Sequence, residues 1–110
     1  LNQSEERAAE FLQRQGLKPV AQNFRSRFGE IDLIMLDAEM LVFVEVRQRS
    51  HSDFGGAAGS VDIHKQQRLI RTAQFYLAKQ GHTPPCRFDV VLMDDQAGLN
   101  MQWLKNAFEA

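Results

Sequence analysis

Asp32, Glu45 and Arg47 are ionised groups set in two otherwise apolar runs, GEIDLIML and LVFVEVRQR. A charge among Val and Phe costs free energy unless it is paired or bound to a cation. Two carboxylates brought to one side by adjacent strands, Asp32 and Glu45, make a hard-oxygen set that suits Mg²⁺ or Mn²⁺ with room for water. The backbone carbonyl of Val46 is a further candidate ligand, and Glu5 from the start of the chain is another. A cation so held binds a phosphate oxygen, activates a water and stabilises a leaving oxygen, which is what phosphodiester hydrolysis requires. Arg47, two residues beyond Glu45 on the same face, is permanently charged. It is suited to holding a phosphate and offsetting transition-state charge, and unsuited to acting as a general base. The same pattern also reads as an ion pair, Glu45–Arg47 or Asp32–Arg47, at a strand end. Spacing alone leaves both open.

These positions need a hairpin. Gly29 to Arg49 alternates as two strands around the polar turn Asp37-Ala38-Glu39. Period-2 geometry puts Ile31 and Leu33 on one face of the first strand, and Glu30, Asp32 and Ile34 on the other. In the second strand Val42, Val44 and Val46 oppose Leu41, Phe43, Glu45 and Arg47. Before the hairpin, Gln3 to Gln15 reads as a helix capped by Ser4, with Glu5 and Glu6 at the positive end of its dipole and Gly16 as terminator. Glu5 shares the face of Ala8, Ala9 and Leu12, which turns it toward the sheet; dipole complementation at a solvated end is the competing reading. Leu17 to Arg27 follows as a strand, and Pro19 restricts it to an edge.

After the hairpin, Ser50 to Ser60 forms a connection with three glycines. It lacks the Gly-Lys-Ser/Thr ending of a phosphate-binding loop. Asp62 to Lys79 is a second helix with Asp62 as N-cap and an apolar face of Leu69, Ile70, Ala73, Tyr76 and Leu77. His64, Lys65, Arg68 and Arg71 share most of its opposite side. With Arg49, that basic face suits phosphate contacts or is simply solvated. Gly81 to Pro85 stops the helix. Cys86 to Met93 is a strand with Phe88, Val90 and Leu92 on one face, and Cys86 reads as a small buried hydrophobe. Asp94 to Gly98 turns the chain, and Asn100 to Phe108 closes it as a strand or helix whose Met101, Trp103, Leu104 and Phe108 pack in the core. The order α-β-β-β-α-β plus a tail predicts an α/β fold, a mixed sheet flanked by helices.

The totals limit the alternatives. A chain of 110 residues reads as one domain, 1–110, able to form a core without staples. Leu1 in place of methionine suggests that a few residues precede it naturally. A net charge of −1 excludes a bulk polycation, so any nucleic-acid binding must be local. Arg25, Arg27, Arg47, Arg49, Lys65, Arg68 and Arg71 crowd the middle of the chain and supply such a patch. One cysteine excludes an internal disulfide. No apolar run approaches the ~18 residues of a membrane helix and no signal pattern opens the chain, so the expected location is cytoplasmic, with no membrane partner. His51, His64 and His82 show no zinc spacing with Cys86, and neither a nucleophile elbow nor a dinucleotide fingerprint occurs.

In order, GEIDLI, FVEVRQR, FGGAAGSV, KQQRLIRTAQFYLA and RFDVV resemble the YraN family of predicted bacterial endonucleases, over nearly the whole chain. The resemblance implies the PD-(D/E)XK, restriction-endonuclease-like fold with an αβββαβ core, distantly similar to archaeal Holliday junction resolvases. It implies Asp32 as the first acid of the motif, Glu45 as the second and Arg47 at the place of its lysine. Glu5 matches the helix-one acid of the resolvases, with Glu6 and Glu10 as substitutes. Two features depart from the motif: Arg47 replaces the lysine, and Glu30-Ile31-Asp32 stands where Pro-Asp is usual. The implied activity is a Mg²⁺- or Mn²⁺-dependent endonuclease acting on DNA, including structured or branched DNA. The alternatives are a non-catalytic nucleic-acid-binding module on the same scaffold and a protein-assembly subunit. Because resolvase-like folds often dimerise, a homodimer is a further expectation.

Overall fold

The computed structural model describes residues 2–48, 61–94 and 100–110. The order is α1 (Gln3–Arg14), β1 (Lys18–Ser26), β2 (Gly29–Asp37), β3 (Met40–Gln48), α2 (Ile63–Gln80), β4 (Cys86–Met93) and β5 (Met101–Phe108). The five strands form one sheet in sequence order, antiparallel throughout except for the parallel pair β3–β4. A parallel pair needs a crossover rather than a tight turn, and α2 lies in that crossover. This is the restriction-endonuclease-like αβββαβ core, with β5 added at the edge. The tail resolves as a strand because it pairs with β4 from Phe88↔Phe108 to Met93↔Met101.

Each face of the sheet has its own core. Ala8 and Leu12 of α1 pack on Leu33, Met35, Val42, Val44, Val91 and Met93. Leu69 and Ala73 of α2 pack on Ile31, Ile34, Phe43, Phe88, Val90 and Leu92. Phe43 and Phe88 stack with ring centroids 5.4 Å apart, and Phe88 stacks on Phe108 at 4.9 Å. Trp103 packs edge-on against Phe11 at 6.3 Å. A fully buried aliphatic or aromatic side chain of this kind contributes roughly 1.5–3 kcal/mol, so each helix is fixed to the sheet by a few such residues. Among the described residues no helix is long and apolar enough to cross a membrane.

Three expectations are corrected by the structure, and the choice left open for Glu5 is decided. Asn2, not Ser4, caps α1: its side chain accepts the Glu5 N–H at 2.8 Å while the Glu5 carboxylate accepts the Asn2 N–H at 3.3 Å. This reciprocal box satisfies two end-of-helix amides at once, and Ser4 falls inside the helix. Glu5 therefore faces the sheet, only 8% exposed, rather than a solvated end. The alternation expected for β2 slips, because Ile31 and Ile34 both lie under α2 while Leu33 lies under α1. The neighbouring β1 slips at the same level: Ala21 and Phe24 share the α2 side, with Asn23 between them at φ +49°. A left-handed residue shifts the pleat, and Asn tolerates that conformation better than most residues. Finally, Cys86 is exposed, since β4 enters the core only at Phe88.

Candidate metal and phosphate site

The site begins where a β-ladder ends. β2 and β3 pair from Asp37↔Met40 to Leu33↔Val44, and no further. Beyond that fork the backbone amide of Val46 has no strand partner on β2. It donates instead to Asp32 Oδ2 at 2.8 Å. The two acids of the hairpin thus sit just past the last paired rung, where the strands have separated and a side chain replaces a backbone bond. Val46 is seen to enter the site through its N–H.

Asp32 sits where its charge is costly. Burial, then the Glu45 charge and a hydrogen bond with Glu45, push its carboxyl up from 3.8 to about 8, against the lowering effect of the Val46 N–H; Glu5 adds a smaller push. Burial and the neighbouring Glu45 carboxylate thus both favour the proton-bound form of Asp32. Removing a carboxylate from water disfavours its charged form, and a second carboxylate alongside adds to the effect. Glu45 itself is buried, 4% exposed, and its Oε2 lies 2.8 Å from Lys65 Nζ and 3.9 Å from Arg47 Nη1.

Two further acids converge on Asp32. Ligand oxygens of Glu5, Glu30 and Asp32 all lie within 4.8 Å of one another. Asn23 holds this group, because its side-chain amide donates to Glu5 Oε1 at 3.0 Å and to Glu30 Oε1 at 2.8 Å. Arg25 Nε lies 3.2 Å from Glu30 Oε2. Asn23 falls between the pairs Gln22↔Leu33 and Phe24↔Ile31, at the level of Asp32, so the left-handed residue of β1 is also the one that orients Glu5 and Glu30.

Asp32 and Glu30 line two openings. A cavity of about 150 Å³ is shared with Glu45, Lys65 and Arg68, and a wider one of about 540 Å³ with Asn2, Glu5, Asn23 and Arg25. Carboxylate oxygens of Glu5 on α1 and of Glu30 and Asp32 on β2, with Glu45 of β3 beside Asp32, are hard donors of the kind that suits a divalent cation such as Mg²⁺ or Mn²⁺.

The sequence-predicted residues divide accordingly. Asp32 lies beside Glu45 and, separately, in a cluster with Glu5 and Glu30, whereas Glu6 and Glu10 border a separate groove between α1 and β1. Arg47 pairs with Glu45 at 3.9 Å, as one reading of the spacing had it, and Lys65 of α2 lies closer at 2.8 Å. Arg68 lines the smaller cavity and Arg71 is exposed on α2. Arg49 and the glycine-rich connection up to Ser60 lie outside the described residues, as does the 95–99 part of the last turn. Sequence reasoning gave no role to Glu30 or Asn23. Glu30 was visible as the neighbour of Asp32 at period two, but nothing in the pattern marked Asn23.

The chain matches the model of a family described as "Uncharacterised protein family UPF0102" over residues 4–93, a span that holds every acid of the site. A UPF0102 protein of Janthinobacterium sp. (strain Marseille) is 55% identical over 106 residues, covering 96% of this chain and 84% of the relative. One from Alcanivorax borkumensis is 55% identical over 109 residues, covering 96% and 87%. One from Nitrosomonas europaea is 52% identical over 106 residues, covering 96% and 90%. Across the sheet, both helices and the acids at the fork, this chain belongs to the UPF0102 family, the family to which its YraN-like motifs point.

Proposed function

We propose that this protein is a metal-dependent endonuclease that hydrolyses phosphodiester bonds in DNA, with structured or branched DNA among its substrates. The observation that carries this reading is the place of Asp32 at the open end of the β2–β3 ladder, beside Glu45 and within 4.8 Å of ligand oxygens of Glu5 and Glu30. Asp32, Glu45 and Glu5 would hold Mg²⁺ or Mn²⁺, with the Val46 carbonyl as a further ligand. When bound, such a cation polarises a phosphate oxygen and makes a water more acidic. The remaining work falls to the chain itself. Asn23 orients Glu5 and Glu30, and the Val46 N–H orients Asp32. Arg47 and Arg68 would hold phosphate charge at the groove, and Arg71, exposed on α2, would extend the basic surface along the nucleic acid; Arg49 is a further candidate from the sequence alone. A two-fold pair of such sites would suit a branched substrate, which makes a homodimer the expected assembly.

The test is cleavage of duplex, single-stranded and junction DNA by the purified protein with Mg²⁺ or Mn²⁺. Cutting is expected with either metal, is expected to stop with EDTA, and to fall by roughly 100-fold or more in Asp32→Ala and Glu45→Ala. No cutting on any substrate, or full cutting by both variants, refutes the proposal. A second reading, a nucleic-acid-binding module without catalysis, is favoured by one observation: a lysine ammonium already sits 2.8 Å from Glu45. It predicts salt-sensitive, metal-independent binding weakened by Lys65→Ala and Arg68→Ala.

A further inference from the structure

Lys65 occupies a place that neither its own helix nor the solvent explains. It stands in the first turn of α2, where no acidic residue is present. A cation there opposes the helix dipole, whose positive end favours acids. Its backbone is fixed, because the Lys65 N–H donates to the Asp62 cap at 2.8 Å. Its side chain leaves the helix and reaches across to β3, where Nζ lies 2.8 Å from Glu45 Oε2. Arg47 is 3.9 Å from that same oxygen, so the two cations are not equivalent. The lysine side chain is 33% exposed and lines the cavity of about 150 Å³ with Asp32, Glu45 and Arg68.

We propose that Lys65, rather than Arg47, is the residue of this site that passes from carboxylate to phosphate. Its ammonium neutralises Glu45 in the metal-free protein, and it contacts a phosphate oxygen of the nucleic acid once a divalent cation takes the Glu45 oxygen. The phosphate half rests on the nuclease reading; the Glu45 half does not. Three features support the exchange. An ammonium and a divalent cation cannot share one carboxylate oxygen without strong repulsion. A lysine has a flexible stem and a compact charge with three rotatable donors, so displacement moves it only along the cavity. That cavity also receives Arg68, which gives an anion a second positive partner.

Calorimetry with Mn²⁺ alone tests the first half. Lys65→Gln is expected to bind Mn²⁺ at least about threefold more tightly than the parent, because the competing charge is gone. Arg47→Gln is expected to change Mn²⁺ affinity less. The second half is tested with thymidine 5′-monophosphate, a product-like ligand that an endonuclease cannot cut. Mn²⁺-loaded Lys65→Gln should bind it at least about fivefold more weakly, a larger loss than in Arg47→Gln. Lys65→Met, which keeps the length of the stem, repeats both measurements, with thermal melts to compare folded proteins only. Unchanged or weaker Mn²⁺ binding in the Lys65 variants overturns the proposal, as does equal behaviour of Arg47→Gln in both titrations. If both shifts occur while the parent cuts no DNA, the nuclease reading fails and Lys65 keeps its assignment. If the parent cuts but neither shift occurs, the nuclease reading stands and the Lys65 proposal fails.

Discussion

Without a divalent cation, Asp32 carries a free-energy cost that Asp32→Asn should remove. Its carboxyl is raised from 3.8 to about 8, so between those values the folded protein holds a proton that the unfolded chain has released. With more protons bound in the native state, stability must fall as pH rises through that window, and level off above it. Asparagine has the shape of the protonated acid. Its carbonyl can still accept the Val46 N–H, its amide can donate to Glu45, and it never ionises. A rise of roughly four pH units sets a ceiling of about 6 kcal/mol at ~1.4 kcal/mol per unit. Asp32 borders two openings at the surface, and solvent screening brings the expected gain down to about 1–2 kcal/mol at pH 9. Denaturant unfolding in EDTA at pH 4, 6, 8 and 9, followed by circular dichroism, measures it. The variant and parent should nearly coincide at pH 4 and diverge up to pH 8. Adding Mn²⁺ should then narrow the gap by stabilising the parent through native-state binding. A gap that does not change with pH, or a variant less stable than the parent at pH 9, refutes the account of a carboxyl strained by burial and by Glu45.

Three other outcomes are expected. Asn23→Gly removes the amide that ties Glu5 to Glu30 while accommodating φ +49°; Mn²⁺ affinity by calorimetry should fall on the order of tenfold, as when an orienting partner of a metal ligand is lost. Asp89 is fully buried and accepts from Arg87 Nε, Trp103 Nε1 and the Asn106 N–H at 2.9–3.2 Å. Asp89→Ala leaves Arg87 half-paired and should cost about 3–5 kcal/mol by denaturant midpoint, with a smaller loss in Asp89→Asn. For Arg68→Ala and Arg71→Ala, fluorescence anisotropy of labelled duplex DNA should show a slope of log K against log salt that is shallower by ~0.9 for each phosphate no longer neutralised.

The parts of the fold legible in the sequence are those set by local pattern. The stripe of Ala8, Ala9 and Leu12 identified α1 and made an inward Glu5 one of two readings. Asp62 and Gly81 bounded α2, and Pro19 put β1 at an edge. The misreadings also have local causes. Two residues near the start of α1 could cap it, and the one that forms a reciprocal box with Glu5 prevailed. Cys86 has apolar neighbours in sequence but precedes the point where β4 passes under α2. Strict alternation assigned Ile31 and Leu33 to one face, and it failed because a strand's phase is set jointly with its partner. The left-handed Asn23 on β1 changes the pleat beside Asp32, and nothing within β2 records that.

The same distinction explains the site. Alternation could place Asp32 and Glu45 on an adjacent strand pair, because a hairpin joins its strands through a short turn. It could not tell where the ladder stops, and that stopping point converts two strand residues into a candidate cation site. With one more rung, the Val46 amide would bond to the β2 backbone and Asp32 would lose its donor. Lys65 illustrates the longer-range limit. On a helical projection it belongs with Arg68 and Arg71 on a basic face. Its ammonium nevertheless lies against Glu45, because the first turn of α2 docks beside the open end of the hairpin. Which cation meets the second acid is therefore decided by helix docking, not by the spacing of Glu45 and Arg47. With an arginine at position 47, Glu45 still meets an amine, since the crossover helix brings Lys65 from twenty residues beyond it.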